Sequence, residues 1–366
     1  MRFNCNGLSL AEAVLKVSKA CAVRTTAPIM ECIKITATSD GISLLATDGE
    51  LSIEKFLNAE VLEEGATCVP GKLFSDFISK LSSEEIDVAT GEKGVEISYR
   101  DSKSYMQALP AEEFPVINLS AGENSFVMKQ SAFKDIVAEV VFCCSGDDSR
   151  PILKGCLMEM GDNLKMTALD GYRLAFSQAP ILAKSSAKNM ICPARTLNEI
   201  AKMLSGDEDA EVTLFEENGQ MLVKSDGMTI VSRLYRGDFI KRENVVPSKF
   251  STEVTLNRAE LMASAERAAI LIRGDKNNLV TLEITSDRVK ISSISDYGNV
   301  SEAIEAETDG VDLTISMNAK YLLDALRALK EDKVVISFNG AISPFILQNE
   351  EKKDSLYLIL PVKNAS

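Results

Sequence analysis

One twelve-residue pattern occurs three times in this chain without a gap: PGKLFSDFISKL at Pro70–Leu81, PARTLNEIAKML at Pro193–Leu204 and NAKYLLDALRAL at Asn318–Leu329. The third position is basic each time (Lys72, Arg195, Lys320), an acid follows four residues later (Asp76, Glu199, Asp324), and the twelfth is leucine (Leu81, Leu204, Leu329). Opposite charges at i and i+4 mark one face of a helix, and the leucines belong to its apolar side. The offsets, 123 and 125 residues, are the size of a domain. A chain of 366 residues has room for two or three. The repeat decides for three, spanning 1–120, 125–246 and 250–366, with polar joints at Leu119–Ser125 and Val245–Ser251.

The rest of each unit keeps the same register. An amphipathic helix opens it, carried by Leu10, Val14, Val17 and Cys21; by Phe133, Ile136, Val137, Val140 and Val141; and by Leu261, Met262, Ala265, Ala268, Ala269, Ile270 and Leu271. A polar loop with an arginine follows each time (Arg24, Arg150, Arg273). Alternating apolar residues then predict strands in GISLLATD, NLKMTALD and RVKISSIS. Past the repeated helix come EIDVATGEKGVEISYR, EVTLFEENGQMLVKS and KVVISFNGAISPFILQ, with Asn218-Gly219 and Asn339-Gly340 as hairpin signals. The expected fold is α+β, with two helices packed on antiparallel sheets in each of three units.

Composition removes several function classes. There is no histidine, so neither a Ser-His-Asp or Cys-His arrangement nor an imidazole metal site is possible. The eight cysteines include no CxxC pair and none in the last third, which predicts reduced, mostly buried thiols. No stretch reaches the roughly 20 apolar residues of a membrane helix and the first residues lack a signal-peptide pattern. The expectation is a cytoplasmic protein without membrane contact.

Without histidine an enzyme would have to work with carboxylates, lysines or a metal held by oxygen ligands, and paired acids are the first candidate. Asp48-Gly49 and Asp170-Gly171 end equivalent strands, and a carboxylate-metal nuclease or phosphatase would need such acids to converge on ions about 4 Å apart. Here they sit in different repeats, the third repeat has Ser295-Asp296 instead, and Asp-Gly is a preferred turn pair. The turn reading is favoured, with no catalytic residue, metal or cofactor. No phosphate-cradling glycine motif occurs.

Charge is distributed unevenly. The chain carries −14, yet each repeated helix carries two bases and one acid, so three helices at +1 leave −17 on the remainder. Lys72 and Lys80, Arg195 and Lys202, and Lys320 and Arg327 are seven or eight residues apart, two helical turns, and line up as stripes. With little aromatic interleaving, such stripes suit weak, sequence-independent phosphate contacts. Solvated helix faces remain the alternative, as does a scaffold that binds only proteins.

The chain closely resembles the bacterial DNA sliding clamps, the beta subunits of DNA polymerase III. The resemblance covers nearly its whole length and rests on Arg24–Ile29 (RTTAPI), Ala46-Thr47-Asp48, Leu109–Pro115 (LPAEEFP), Asp170–Ala175 (DGYRLA), Arg267–Leu271 (RAAIL) and Tyr357–Pro361 (YLILP). It implies a head-to-tail homodimer whose six domains close a ring around duplex DNA and tether the polymerase III catalytic subunit. Further implied partners are the clamp loader and other polymerases and repair proteins that carry clamp-binding peptides. Carried over residue by residue, the peptide groove is Leu153, Gly171, Tyr172, Arg173, Leu174, Val245, Leu360, Pro361 and Val362. The DNA-facing set is Arg24, Lys72, Lys80, Arg150, Arg195, Lys202, Lys320 and Arg327. Met106, Ile270 and Leu271 fall at the dimer seam. Departures from the family pattern are Leu169, Ile240 and the ending Lys363-Asn364-Ala365-Ser366.

Overall fold

The structure, a computed structural model, describes every residue except 82, 93, 187, 273, 275–277 and 364–366; Arg273 and the last three residues of the chain therefore lie outside the described residues. Six α-helices are present among the described residues: α1 (Gly7–Val17), α2 (Gly71–Ile78), α3 (Gln130–Val140), α4 (Ala194–Met203), α5 (Arg258–Leu271) and α6 (Ala319–Ala328). The expected pair of helices per repeat is present. Side-chain caps set several starts: Asn6 Oδ1 accepts from the Leu8 and Ser9 amides before α1, and Asn257 and Asn318 do the same before α5 and α6. The α1 helix stops at Val17 and passes through a 3-10 turn, so Cys21 lies beyond the helix on which the spacing puts it.

The repeated leucines face inward as their spacing requires: Leu81 is 8%, Leu204 3% and Leu329 1% exposed. The ion pairs differ from expectation. Glu199 pairs with Lys202 and Asp324 with Arg327, at i+3, while Lys72 and Lys320 stand exposed in the opening turns of their helices. Among the described residues no carboxylate lies within ion-pair distance of Lys72, Lys80 or Lys320.

The chain packs as two compact units, residues 1–131, 182–188 and 199–234, and residues 132–181, 189–198 and 235–366. The first unit holds a five-stranded sheet and a nine-stranded sheet, and α1 and α2 lie side by side in it. The second holds a twelve-stranded sheet with α5 against α6. In each unit the sheet runs through a junction between repeats. In the first, the strand Leu51–Leu57 pairs with Met228–Arg233. In the second, Arg173–Pro180 pairs with Ser355–Ile359, Arg173 opposite Ile359 and Leu174 opposite Leu358.

The two Asn-Gly signals separate. Asn218 and Gly219 both have left-handed φ (53° and 77°) and close the tight turn between Glu217 and Gln220. After Asn339-Gly340 the next strand starts only at Phe345. Pro344 has no N–H to give the ladder, and the connection is a longer loop.

A candidate partner groove and basic helix faces

The groove residues gather around the turn that joins two strands, Asn163–Leu169 and Arg173–Pro180. Gly171 takes φ +96°, a conformation that favours glycine, in a place where a Cβ would meet nothing closer than Arg150 Nη1 at 3.7 Å. Asp170 Oδ1 accepts from the Tyr172 and Arg173 amides at 2.9 and 3.0 Å. Asp48 does the same for Glu50 and Leu51 at the equivalent turn. Both aspartates thus act as turn caps, as the Asp-Gly pairing predicts. The turn holds Tyr172 with its side chain 63% exposed, and the Tyr172 carbonyl accepts from the Leu360 amide at 2.9 Å.

Strand alternation then divides the predicted residues. Leu174 and Phe176 point to one face of the sheet, where they join Leu153, Leu169, Ile346 and Leu358 in a buried apolar cluster. Val245 and Leu360 pack on that cluster partly exposed, and Pro361 and Val362 continue half-buried. The Val362 amide donates to Ser316 O at 2.8 Å, which anchors the end of the strand. The sequence set therefore converges, with Leu153 and Leu174 as floor and Tyr172, Val245, Leu360, Pro361 and Val362 as accessible rim. The floor also contains Leu169, a departure from the family pattern, Leu358, from the YLILP motif, and Phe176 and Ile346, which sequence reasoning missed; the alternation in the Arg173–Pro180 strand was the signal that could have found Phe176.

Arg173 is the exception. Next to Leu174 in a strand, it must point to the other face, toward the helices. It is 8% exposed and donates from Nε to Asp170 Oδ2 (3.0 Å), from Nη1 to Asp324 Oδ2 (2.7 Å) and from Nη2 to Phe142 O (2.9 Å). Its guanidinium carbon stands 4.5 Å from the Tyr321 ring centre. Its pKa is raised above the ordinary arginine value: burial opposes the charge, and the neighbouring Cys143, Asp324 and Asp170 outweigh it. Arg173 is a buried brace under the turn and does not line the groove. Tyr357, on the same inward face, is 1% exposed and stacks on Phe142.

All eight predicted DNA-facing residues, Arg24, Lys72, Lys80, Arg150, Arg195, Lys202, Lys320 and Arg327, are exposed. Of the seam residues, Ile270 is 69% exposed and Leu271 half-buried. Met106 is only 7% exposed, because alternation in the edge strand Ser102–Met106 turns it inward and its neighbour Tyr105, 65% exposed, outward. Burial pushes the Cys5, Cys21 and Cys68 thiols up to about 12, which keeps them protonated and unreactive near neutral pH.

Sequence models of the DNA polymerase III beta subunit match in chain order: the N-terminal domain over residues 1–119, the central domain over 127–241 and the C-terminal domain over 243–363. This chain belongs to the DNA polymerase III beta subunit family, the bacterial sliding clamps. The Beta sliding clamp of Halalkalibacterium halodurans is 32% identical over 363 residues, covering 95% of each chain. The crystal structure of the DNA polymerase sliding clamp from Bacillus subtilis superposes with a TM-score of 0.96 at 30% identity, over 100% of this chain and 99% of that one. The beta subunit from Streptococcus pyogenes gives 0.93 at 28% identity over the whole of both chains. The fold is accordingly three repeats of the clamp domain. The function is that of a processivity clamp, a non-catalytic accessory subunit of DNA polymerase.

Proposed function

We propose that this clamp works as a closed head-to-tail homodimer around duplex DNA, with domains at 1–120, 125–246 and 250–366, in the cytoplasm. No helix among the described residues is long and apolar enough to cross a membrane. One observation carries the closed dimer: two strand edges lack the partner that their repeats have elsewhere. Leu51–Leu57 and Arg173–Pro180 each pair, on the side away from their own hairpin, with a strand of the next repeat. Among the described residues their counterpart in the third repeat, the first half of Gly298–Gly310, pairs only with Arg288–Ser295. Ser102–Met106, the counterpart of Met228–Arg233 and Ser355–Ile359, pairs among the described residues only with Gly94–Tyr99. Long unpaired edges invite pairing with another chain. A second copy placed head to tail satisfies both edges with the junction already used twice. Exposed apolar side chains at each edge, Tyr105 in the first repeat and Ile294, Tyr297 and, on the helix packed there, Ile270 in the third, supply surface for the seam.

The basic stripes of the helices then face DNA. Their sparse charge suits sliding, since strong phosphate contacts would oppose movement along the duplex. The apolar cluster and its rim serve as the groove for extended peptides of the polymerase III catalytic subunit, the clamp loader and other polymerases and repair proteins, with Tyr172, Leu174 and Leu360 as anchors. A tethered polymerase remains at a high effective concentration at its template. Light-scattering mass in solution tests closure: twice the 39.8 kDa chain is expected. A strict monomer at micromolar concentration contradicts the ring.

A further inference from the structure

One side chain over the apolar cluster has no part in the roles above. Arg242 opens the 3-10 turn Arg242–Asn244, and its carbonyl accepts from the Val245 and Val246 amides at 2.9 and 3.0 Å. Its backbone is therefore fixed to the two valines that pack on the cluster. Its guanidinium carbon lies 3.8 Å from the centre of the Phe176 ring, and Phe176, 6% exposed, belongs to the cluster itself. A guanidinium stacked on an aromatic face is planar and pre-oriented, with its N–H edge available for a carboxylate.

That edge is little used. Among the described residues its one hydrogen bond runs from Nη2 to Glu243 Oε1 at 3.2 Å, to a neighbour in the chain whose side chain is 69% exposed. Exposed pairs of this kind are weak and exchange readily with water. The Glu243 carboxyl sits below its ordinary pKa because of its own backbone amide, with Arg242 and Lys165 adding to the effect. Two cations thus surround one carboxylate at this end of the cluster, in a chain whose net charge is −14. Arg173 offers nothing comparable, being buried and fully engaged.

We propose that Arg242 is a specificity-determining residue of the groove, donating to the carboxylate of an acidic side chain that flanks the apolar anchors of a bound peptide. The inference rests on the groove reading above. The Phe176 stack survives binding, so the arginine is recruited without losing its support.

The test uses the full-length protein and two synthetic decapeptides with the same leucine–phenylalanine anchor, flanked by glutamate in one and glutamine in the other, followed by fluorescence anisotropy. The wild type should bind the glutamate peptide about fivefold more tightly at low salt, the scale of a partly exposed charged hydrogen bond. The preference should shrink toward unity as salt screens it. In Arg242→Gln it should vanish, while Arg242→Lys keeps a smaller preference. A preference that persists in Arg242→Gln overturns the proposal. So does equal binding of both peptides by the wild type, although the groove reading would stand if Leu360→Ala still weakened both. If neither peptide binds the wild type, the groove reading fails and the inference with it.

Discussion

The two junctions between repeats are built alike and differ in chemistry. An offset of 122 residues places Thr47, Leu51, Ser52 and Glu54 of the first junction on Leu169, Arg173, Leu174 and Phe176 of the second. On the outward face the first has a threonine hydroxyl hydrogen-bonded to a serine hydroxyl, Thr47 to Ser52 at 2.7 Å, and a glutamate held by Ser43. The second has two leucines and a phenylalanine. On the inward face the first has Leu51, 1% exposed, and the second a buried arginine. One fold can therefore carry an apolar surface at one junction and a polar surface at its twin. The difference lies in a few alternating positions of one strand, while the backbone pairing is the same.

Substitutions that move the second junction toward the first should break this contrast. Leu174→Ala removes a 1% exposed side chain from the cluster and should cost about 3 kcal/mol in a urea melt. Leu360→Ala, at the half-buried rim, should weaken anchor-peptide binding roughly tenfold with little loss of stability. Arg173→Leu copies Leu51, but leaves Asp170 and Asp324 without their shared partner. Their side chains are 16% and 19% exposed, so water restores part of the loss, and about 2 kcal/mol of destabilisation is expected by calorimetry. Gly171→Ala makes no contact closer than van der Waals distance and meets only an unfavourable φ, so about 1 kcal/mol is expected, with a looser Tyr172 rim. Lys72→Ala and Lys320→Ala should leave the melt within about 0.5 kcal/mol. Each should lower the salt-dependence slope for duplex DNA by about one.

The repeat, the two helices of each unit and the strand alternation were legible because they arise from local periodicity. The basic stripes were legible for the same reason, since an exposed helix face follows from spacing. The direction of Arg173 was lost for a different reason. Its neighbours Leu174 and Tyr172 do lie in the apolar cluster and at its exposed edge, and a contiguous motif conceals the fact that adjacent strand residues face opposite ways. Met106 followed the same pattern, with Tyr105 as its outward neighbour. The helix ion pairs at i+3 were not legible, because i+3 and i+4 neighbours share one helix face and spacing alone does not choose between them. The free strand edges could not be read from sequence at all, because they depend on which strands pair across repeats.

The central claim is that this protein holds DNA by encircling it. It is tested most directly by assembling the clamp on a nicked circular plasmid, isolating the complex at high salt, and cutting the plasmid once. The clamp should stay on the circle and be lost within minutes of linearisation. Equal retention on both forms, or equal loss from both, would contradict the account.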